Sequence, residues 1–321
     1  MDLTPEEIYQ DFRDKNINEN TTFELLTSLI ENSENEDIRL EALMNLEKSG
    51  IIKDNLFNIL ENLIISDSNS NIRVAATKFL KDKFLKEALN PLKWAMNHEL
   101  DYECLIIIIQ TLEKINTDES KSVLGNGISK ILNTKYHNKE RRIENKKFRK
   151  VIKRLLKKKQ LENFTHTELA EILINYITIT LLINQYPNVY YEVDPQNGLI
   201  RELDLSNYLE YEVKGTPFGW KNNIKSISEI SGLKSLKYLK KIDLSNNIIE
   251  NVKEIVHLKN LTHLILTNNN ISEIDNLEYI KSLSNIKYLD LRGNNLGKKM
   301  DPTEFDSNIK VLLKDSYIKI K

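Results

Sequence analysis

Between residues 239 and 296 one pattern is written three times: Leu239-x-x-Ile242-x-Leu244-x-x-Asn247-x-Ile249, Leu261-x-x-Leu264-x-Leu266-x-x-Asn269-x-Ile271 and Ile286-x-x-Leu289-x-Leu291-x-x-Asn294-x-Leu296. In each copy the apolar positions 1, 4, 6 and 11 leave positions 3, 5 and 7 facing outward, the alternation of a short strand with one buried side. A unit of this size cannot bury its apolar edge alone, so copies must stack side by side into an array. The asparagines at position 9 sit where the chain leaves the strand, where their amides can satisfy backbone groups of the turn and of the next copy.

The spacing continues between the strands. Ile249, Val252, Ile255 and Leu258 recur 22 residues later as Ile271, Ile274, Leu277 and Ile280, and 22 residues earlier as Ile227, Ile230, Leu233 and Leu236. The strand of that earlier copy is not at 217–222, where Pro217, Trp220 and Asn222 break the pattern; it is expected at Ile200-x-x-Leu203-x-Leu205. The first copy therefore carries an insertion over 208–224, whose aromatics Tyr211, Phe218 and Trp220 either bind a partner or fold back over the first copy.

These residues resemble the leucine-rich repeat family, and the 22-residue spacing is similar to the subclass typified by phosphatase-regulating repeats. The resemblance implies a curved parallel sheet with a concave recognition face, and a protein partner whose identity it does not give; a phosphatase or a small GTPase follows by analogy only. The outward positions on that face are Glu202, Asp204, Lys241, Asp243, His263, Ile265, Tyr288, Asp290 and Arg292. Ile265 is apolar at the middle of the face, with His263 and Tyr288 beside it and acidic and basic residues around them, the make-up of an interface hot spot. Phe305 to Lys321 is expected to cap the open edge, with a last strand at Tyr317–Ile320.

From residue 5 to about 134 the apolar spacing is helical. Asp37-Ile38-Arg39-x-x-Ala42 returns 34 residues later as Asn71-Ile72-Arg73-x-x-Ala76, with a degenerate third copy at Cys104–Leu112. The pattern resembles HEAT-like repeats, which implies an α-solenoid of helix pairs. Arg39 and Arg73 are expected to bridge neighbouring repeats or helix ends, and Pro91 to kink or break its helix. The fold class expected is α/β overall: an N-terminal α-solenoid of HEAT-like pairs over 1–185, then a leucine-rich repeat solenoid with a short parallel sheet and C-terminal cap over 186–321.

Charge is unevenly distributed. Residues 1–134 hold 14 basic and 24 acidic side chains, whereas 135–159 hold 13 basic and 2 acidic. Within the basic helix expected at 136–159, Phe148, Val151, Ile152, Leu155 and Leu156 form an apolar stripe, while Lys146, Lys150, Lys153, Arg154 and Lys157 crowd the other face. That face is either compensated by the acidic half, a protein patch, or a site for nucleic acid or an anionic surface. A single cysteine, Cys104, excludes internal disulfides and fits a reducing cytoplasm. Thr4-Pro5-Glu6-Glu7 reads as a helix start, and the apolar runs 105–109 and 177–183 are short against the ~20 residues a membrane span needs.

Signatures of chemistry are absent. There is no Walker loop, Gly-x-Gly-x-x-Gly, Gly-x-Ser-x-Gly or His-Glu-x-x-His, and the five histidines lack metal-ligand spacing. No catalytic residue, metal or cofactor is expected. The function expected is a non-catalytic adaptor or regulator that binds a protein on the concave face; the alternative is nucleic-acid or anionic-surface binding through 141–159.

Overall fold

The computed structural model describes residues 3–133, 139–186, 189–207, 222–296, 300–301 and 305–313, with no side-chain description at 139–145. A helix-rich N-terminal region precedes strands that join in one sheet. The chain divides into two compact units, 1–129 with 165–170 and 130–164 with 171–321.

In the first unit α1 (Pro5–Arg13) opens with a capping box: Thr4 Oγ1 accepts from the Glu7 N–H at 3.2 Å and the Glu7 carboxylate accepts from the Thr4 N–H at 2.8 Å. It is followed by α2 (Glu19–Asn32), α3 (Glu36–Ser49), α4 (Leu56–Ser66), α5 (Ser70–Lys83), α6 (Leu89–His98), α7 (Tyr102–Ile115) and α8 (Asp118–Asn133). Helices α2 and α3, α4 and α5, and α6 and α7 pack as pairs, and α1, α3, α5 and α7 stack on one another in turn.

One device recurs along that row. Asn35, Asn69 and Asp101 cap the N-termini of α3, α5 and α7 through side-chain oxygens. Arg39 then forks onto Asp67 at 2.7 and 3.3 Å, and Arg73 onto Glu99 at 2.7 and 2.9 Å. Asp67 and Glu99 are the residues that end α4 and α6. Each arginine thus joins the start of one helix to the end of a helix of the following pair, as its repeated position anticipates. Pro91 falls in the first turn of α6, so it neither kinks nor breaks a helix; a first-turn N–H has no intrahelical acceptor to lose.

Burial raises the pKa of Glu99, but the bonds from Arg73 and from the N–H groups of Leu100 and Asp101 outweigh it and lower the carboxyl from 4.5 to about 2. A pKa lower in the folded than in the unfolded chain gives a stabilisation fully present above 4.5 and lost as pH falls through about 2. The stability gap between wild type and Glu99→Gln is therefore expected to narrow by about 2–3 kcal/mol between pH 6 and pH 2 in urea titrations. A gap constant across that range contradicts the assignment. The same carboxylate lies beside Cys104, and burial together with that charge pushes the thiol up to about 12, so Cys104 stays protonated.

In the second unit, among the described residues, the strands are β1 (Tyr190–Val193), β2 (Ile200–Asp204), β3 (Lys241–Asp243), β4 (His263–Ile265), β5 (Tyr288–Asp290) and β6 (Lys310–Leu312), ordered as numbered. β1 is antiparallel to β2, and the strands from β2 to β6 are parallel. A short helix, α11 (Asp275–Lys281), lies between β4 and β5. The strand that pairs with β5 is thus 310–312; the expected strand at 317–320 lies outside the described residues.

Leu239, Ile242, Leu244, Leu261, Leu264, Leu266, Leu289 and Leu291 are fully buried, as the alternation requires. Asn247, Asn269 and Asn294 form a ladder beneath them. Each side-chain oxygen accepts the N–H of the preceding copy, at Ile224, Ile249 and Ile271, and each amide donates to carbonyls of its own and the preceding copy.

Two helices complete this unit: α9 (Lys139–Lys158) and, from Glu171 onward, α10 (His166–Gln185). Phe148, Ile152 and Leu155 of α9 are buried, and the turn before β2 brings Gly198, at φ 79°, against Ile152, Leu155 and Ile172; a Cβ there would lie 2.8 Å from Ile152 Cδ1. On α10, Asn175 Oδ1 accepts the Ile200 N–H at 2.8 Å, Lys237 pairs with Glu171 at 3.0 Å, and Gln185 donates to the Glu229 carbonyl. The division by packing thus falls at 130 and within α10, whereas the sequence pattern places it at 185. By length and composition alone α10 is long and apolar enough to cross a membrane, which the short apolar runs do not show, and 61% of its 18-residue apolar stretch is buried inside the protein, as in the core helix of a folded domain.

Candidate functional site: the outer face of the parallel sheet

Register across the sheet lines up the outward side chains in two rows. Glu202, Lys241, His263, Tyr288 and Lys310 form one, and Asp204, Asp243, Ile265, Asp290 and Leu312 the other. In the first row the His263 and Tyr288 rings stack with centroids 5.7 Å apart, Lys310 Nζ lies 5.5 Å from the Tyr288 centroid, and Lys241 sits 3.7 Å from Glu202. Ile265 is half-buried between Asp243 and Asp290, beside this stack.

The acids of the second row do different work from those at the rim. Asp204 Oδ1 accepts from the Ser206 N–H and hydroxyl, and Asp243 Oδ1 from the Ser245 N–H and hydroxyl. Both carboxylates hold the turn that leaves their strand. Burial and the neighbouring Asp204 raise the pKa of Asp243, against the bonds from Ser245. Asp290 is buried and forks with Arg292 at 2.9 and 2.6 Å; burial pushes its pKa up, the Arg292 bonds prevail, and it ends below the ordinary carboxylate range. Tyr288, whose hydroxyl reaches Asp290 at 3.3 Å, has its pKa raised by burial and then by that charge. Both groups stay in one protonation state near neutral pH. Among the described residues no group of three or more His, Cys, Asp or Glu side chains is placed to hold a metal.

Residues 259–301 match the family described as Leucine Rich repeats (2 copies). Repeats of this family generally mediate protein–protein interaction and are typically non-catalytic. The matched leucine-rich repeats contain His263, Ile265, Tyr288, Asp290 and Arg292, the centre of the two rows. Comparison with curated proteins and with solved structures gives no match.

One repeat residue was hidden from sequence reading. Asn222 Nδ2 donates to the Leu205 carbonyl at 2.8 Å, the bond that Asn247, Asn269 and Asn294 make to Leu244, Leu266 and Leu291. It is the ladder asparagine of the first copy, and Asn222-x-Ile224 repeats the spacing of Asn247-x-Ile249. The insertion accordingly occupies 208–221, between Asn207 and Asn222, and the Asn207 side chain accepts the Asn222 N–H at 2.6 Å. Tyr211, Phe218 and Trp220 lie outside the described residues.

The basic helix presents a separate surface. Lys146, Lys150, Lys153, Arg154 and Lys157 are all exposed on α9, opposite its buried stripe.

Proposed function

We propose that this chain is a non-catalytic adaptor or regulator that binds a protein partner through the outer face of its leucine-rich repeats. The observation that carries the reading is the aromatic and apolar centre of that face: the stacked His263 and Tyr288 beside half-buried Ile265, rimmed by Lys241, Glu202, Lys310 and Arg292. Aromatic and aliphatic side chains ringed by charge are what protein interfaces concentrate at their centres. Asp204 and Asp243 hold their own turns and Asp290 is forked with Arg292, so the contacts with a partner are assigned to His263, Ile265 and Tyr288.

The helical unit is read with the repeats as a HEAT-like solenoid over the N-terminal half. Its stacked helix pairs, the recurring caps and the paired Arg39 and Arg73 support that reading. The whole is read as a cytoplasmic protein, in keeping with its lone, buried thiol. A phosphatase or small-GTPase partner rests on the resemblance alone and forms no part of the proposal.

The test is quantitative affinity capture from nuclease-treated source lysate with wild type and Ile265→Glu/Tyr288→Ala. A captured protein is expected to fall at least tenfold with the variant, while the thermal midpoint of the variant stays within a few degrees of wild type. Equal capture by both proteins refutes the assignment of the face.

A further inference from the structure

Helix α9 carries more positive charge than the fold uses. Two of its cations and the one that follows it are engaged: Lys147 reaches Glu192 and the Tyr191 carbonyl, Arg149 donates to the Leu132 carbonyl, and Lys159, just past the helix, lies over the Phe164 ring. Six others, Lys146, Lys150, Lys153, Arg154, Lys157 and Lys158, are exposed and make no hydrogen bond or ion pair with any described residue. No carboxylate occurs from 145 to 161. A solvated helix face ordinarily carries acids four residues from its bases; this one sets like charges at that spacing at 146 and 150, 150 and 154, 153 and 157, and 154 and 158, each pair opposing the helix.

We propose that the outer face of α9 docks on the phosphate backbone of double-stranded DNA. The six cations span thirteen residues, a rise of about 18 Å. Over that length a DNA duplex presents on the order of ten phosphates, about half of them towards one side, so cations and phosphates match in number. A lipid surface fits less well: the apolar stripe of Phe148, Val151, Ile152 and Leu155 is buried in the unit, which leaves no side chain to insert, and charge without a second anchor gives weak membrane attachment. A single strand is disfavoured because the face offers no aromatic for stacking; Tyr190, at its flank, already holds Lys147 at 4.7 Å from its ring. Five of the six cations are lysines, point charges suited to phosphates rather than to reading bases. This surface is separate from the outer face of the sheet, so both can be occupied on one chain's behalf without sharing residues.

The experiment is fluorescence anisotropy of a labelled mixed-sequence 24-base-pair DNA duplex with the full chain, from 50 to 200 mM KCl. Engagement of about five phosphates gives a log–log salt slope of about −4 to −5, a loss of roughly 250- to 1000-fold over that range. Lys150→Gln/Lys153→Gln/Lys157→Gln lowers the slope by about 3, and the corresponding Glu variant weakens binding more than 100-fold at 50 mM KCl; Ile265→Glu/Tyr288→Ala leaves binding unchanged. These sites are exposed, so circular dichroism of both lysine variants matches wild type. The proposal is overturned by absence of duplex binding at 50 mM KCl or by binding that the lysine variants do not alter. Preference for duplex RNA, single strands or phosphatidylserine vesicles over the DNA duplex overturns it equally.

Discussion

Asn269→Ala is expected to destabilise the repeat unit by about 3–5 kcal/mol. The Asn269 side chain accepts the Ile249 N–H at 2.9 Å and donates to the carbonyls of Leu244 and Leu266 at 3.0 Å and of Thr267 at 3.3 Å. It is 5% exposed, so alanine leaves the Ile249 N–H without a partner and strips one of two donors from the carbonyls of Leu244, Leu266 and Thr267, which keep the bonds from Asn247, Asn294 and the Asn246 N–H. The orphaned N–H costs about 1–3 kcal/mol and each lost bond to a carbonyl about 0.5–1.5 kcal/mol, partly relieved by relaxation. Exposed Asn270 next to it supplies the control, where alanine changes stability by less than about 0.5 kcal/mol. Differential scanning calorimetry resolves the two, and a small effect at Asn269 shows that the ladder does not hold the copies together.

Gly293→Ala is the second large effect, at about 2–4 kcal/mol. Gly293 holds φ at 72°, and a Cβ there would lie 2.1 Å from Asn268 Oδ1 and 3.0 Å from the Asn268 Cα and N. The side-chain oxygen is able to swing aside only by losing the Asn268 bond to Asn246 at 2.9 Å, and the backbone atoms do not move without shifting the neighbouring copy. The equivalent positions in the two preceding copies, Asn246 and Asn268, take the same left-handed conformation with φ of 57° and 55°. Asn246→Gly relieves the left-handed backbone but removes the acceptor of the Asn268 amide, so the two offset and stability is expected to change by less than about 1 kcal/mol. Equal melting of Gly293→Ala and wild type contradicts the close approach between copies.

Much of the sheet is legible because a period-two pattern leaves little freedom: once Leu239, Ile242 and Leu244 face inward, Lys241 and Asp243 face outward, and parallel stacking aligns them with His263 and Ile265. The arginine ladder is legible for a similar reason, since Arg39 and Arg73 recur at one helix position. What escaped the pattern is what long-range contacts decide. Asn222 follows the 208–221 insertion, so its place in the ladder shows only through its bond to Leu205. The apolar stripes of α9 and α10 say that they must be covered, not by what; the contacts of Gly198 with Ile152 and of Asn175 with Ile200 decide that they close the sheet. Asp204 and Asp243 look like neighbouring free carboxylates until the serines two residues on are seen to occupy them.

The most direct test of partner binding at the sheet face is site-specific photocrosslinking in source lysate. Benzoylphenylalanine replaces Ile265 on the outer row in one protein and part-exposed Glu254, between β3 and β4, in another. A discrete protein adduct from position 265 and none from position 254 is the result predicted. An adduct from position 254 with none from 265 contradicts the account and moves the binding surface off that face.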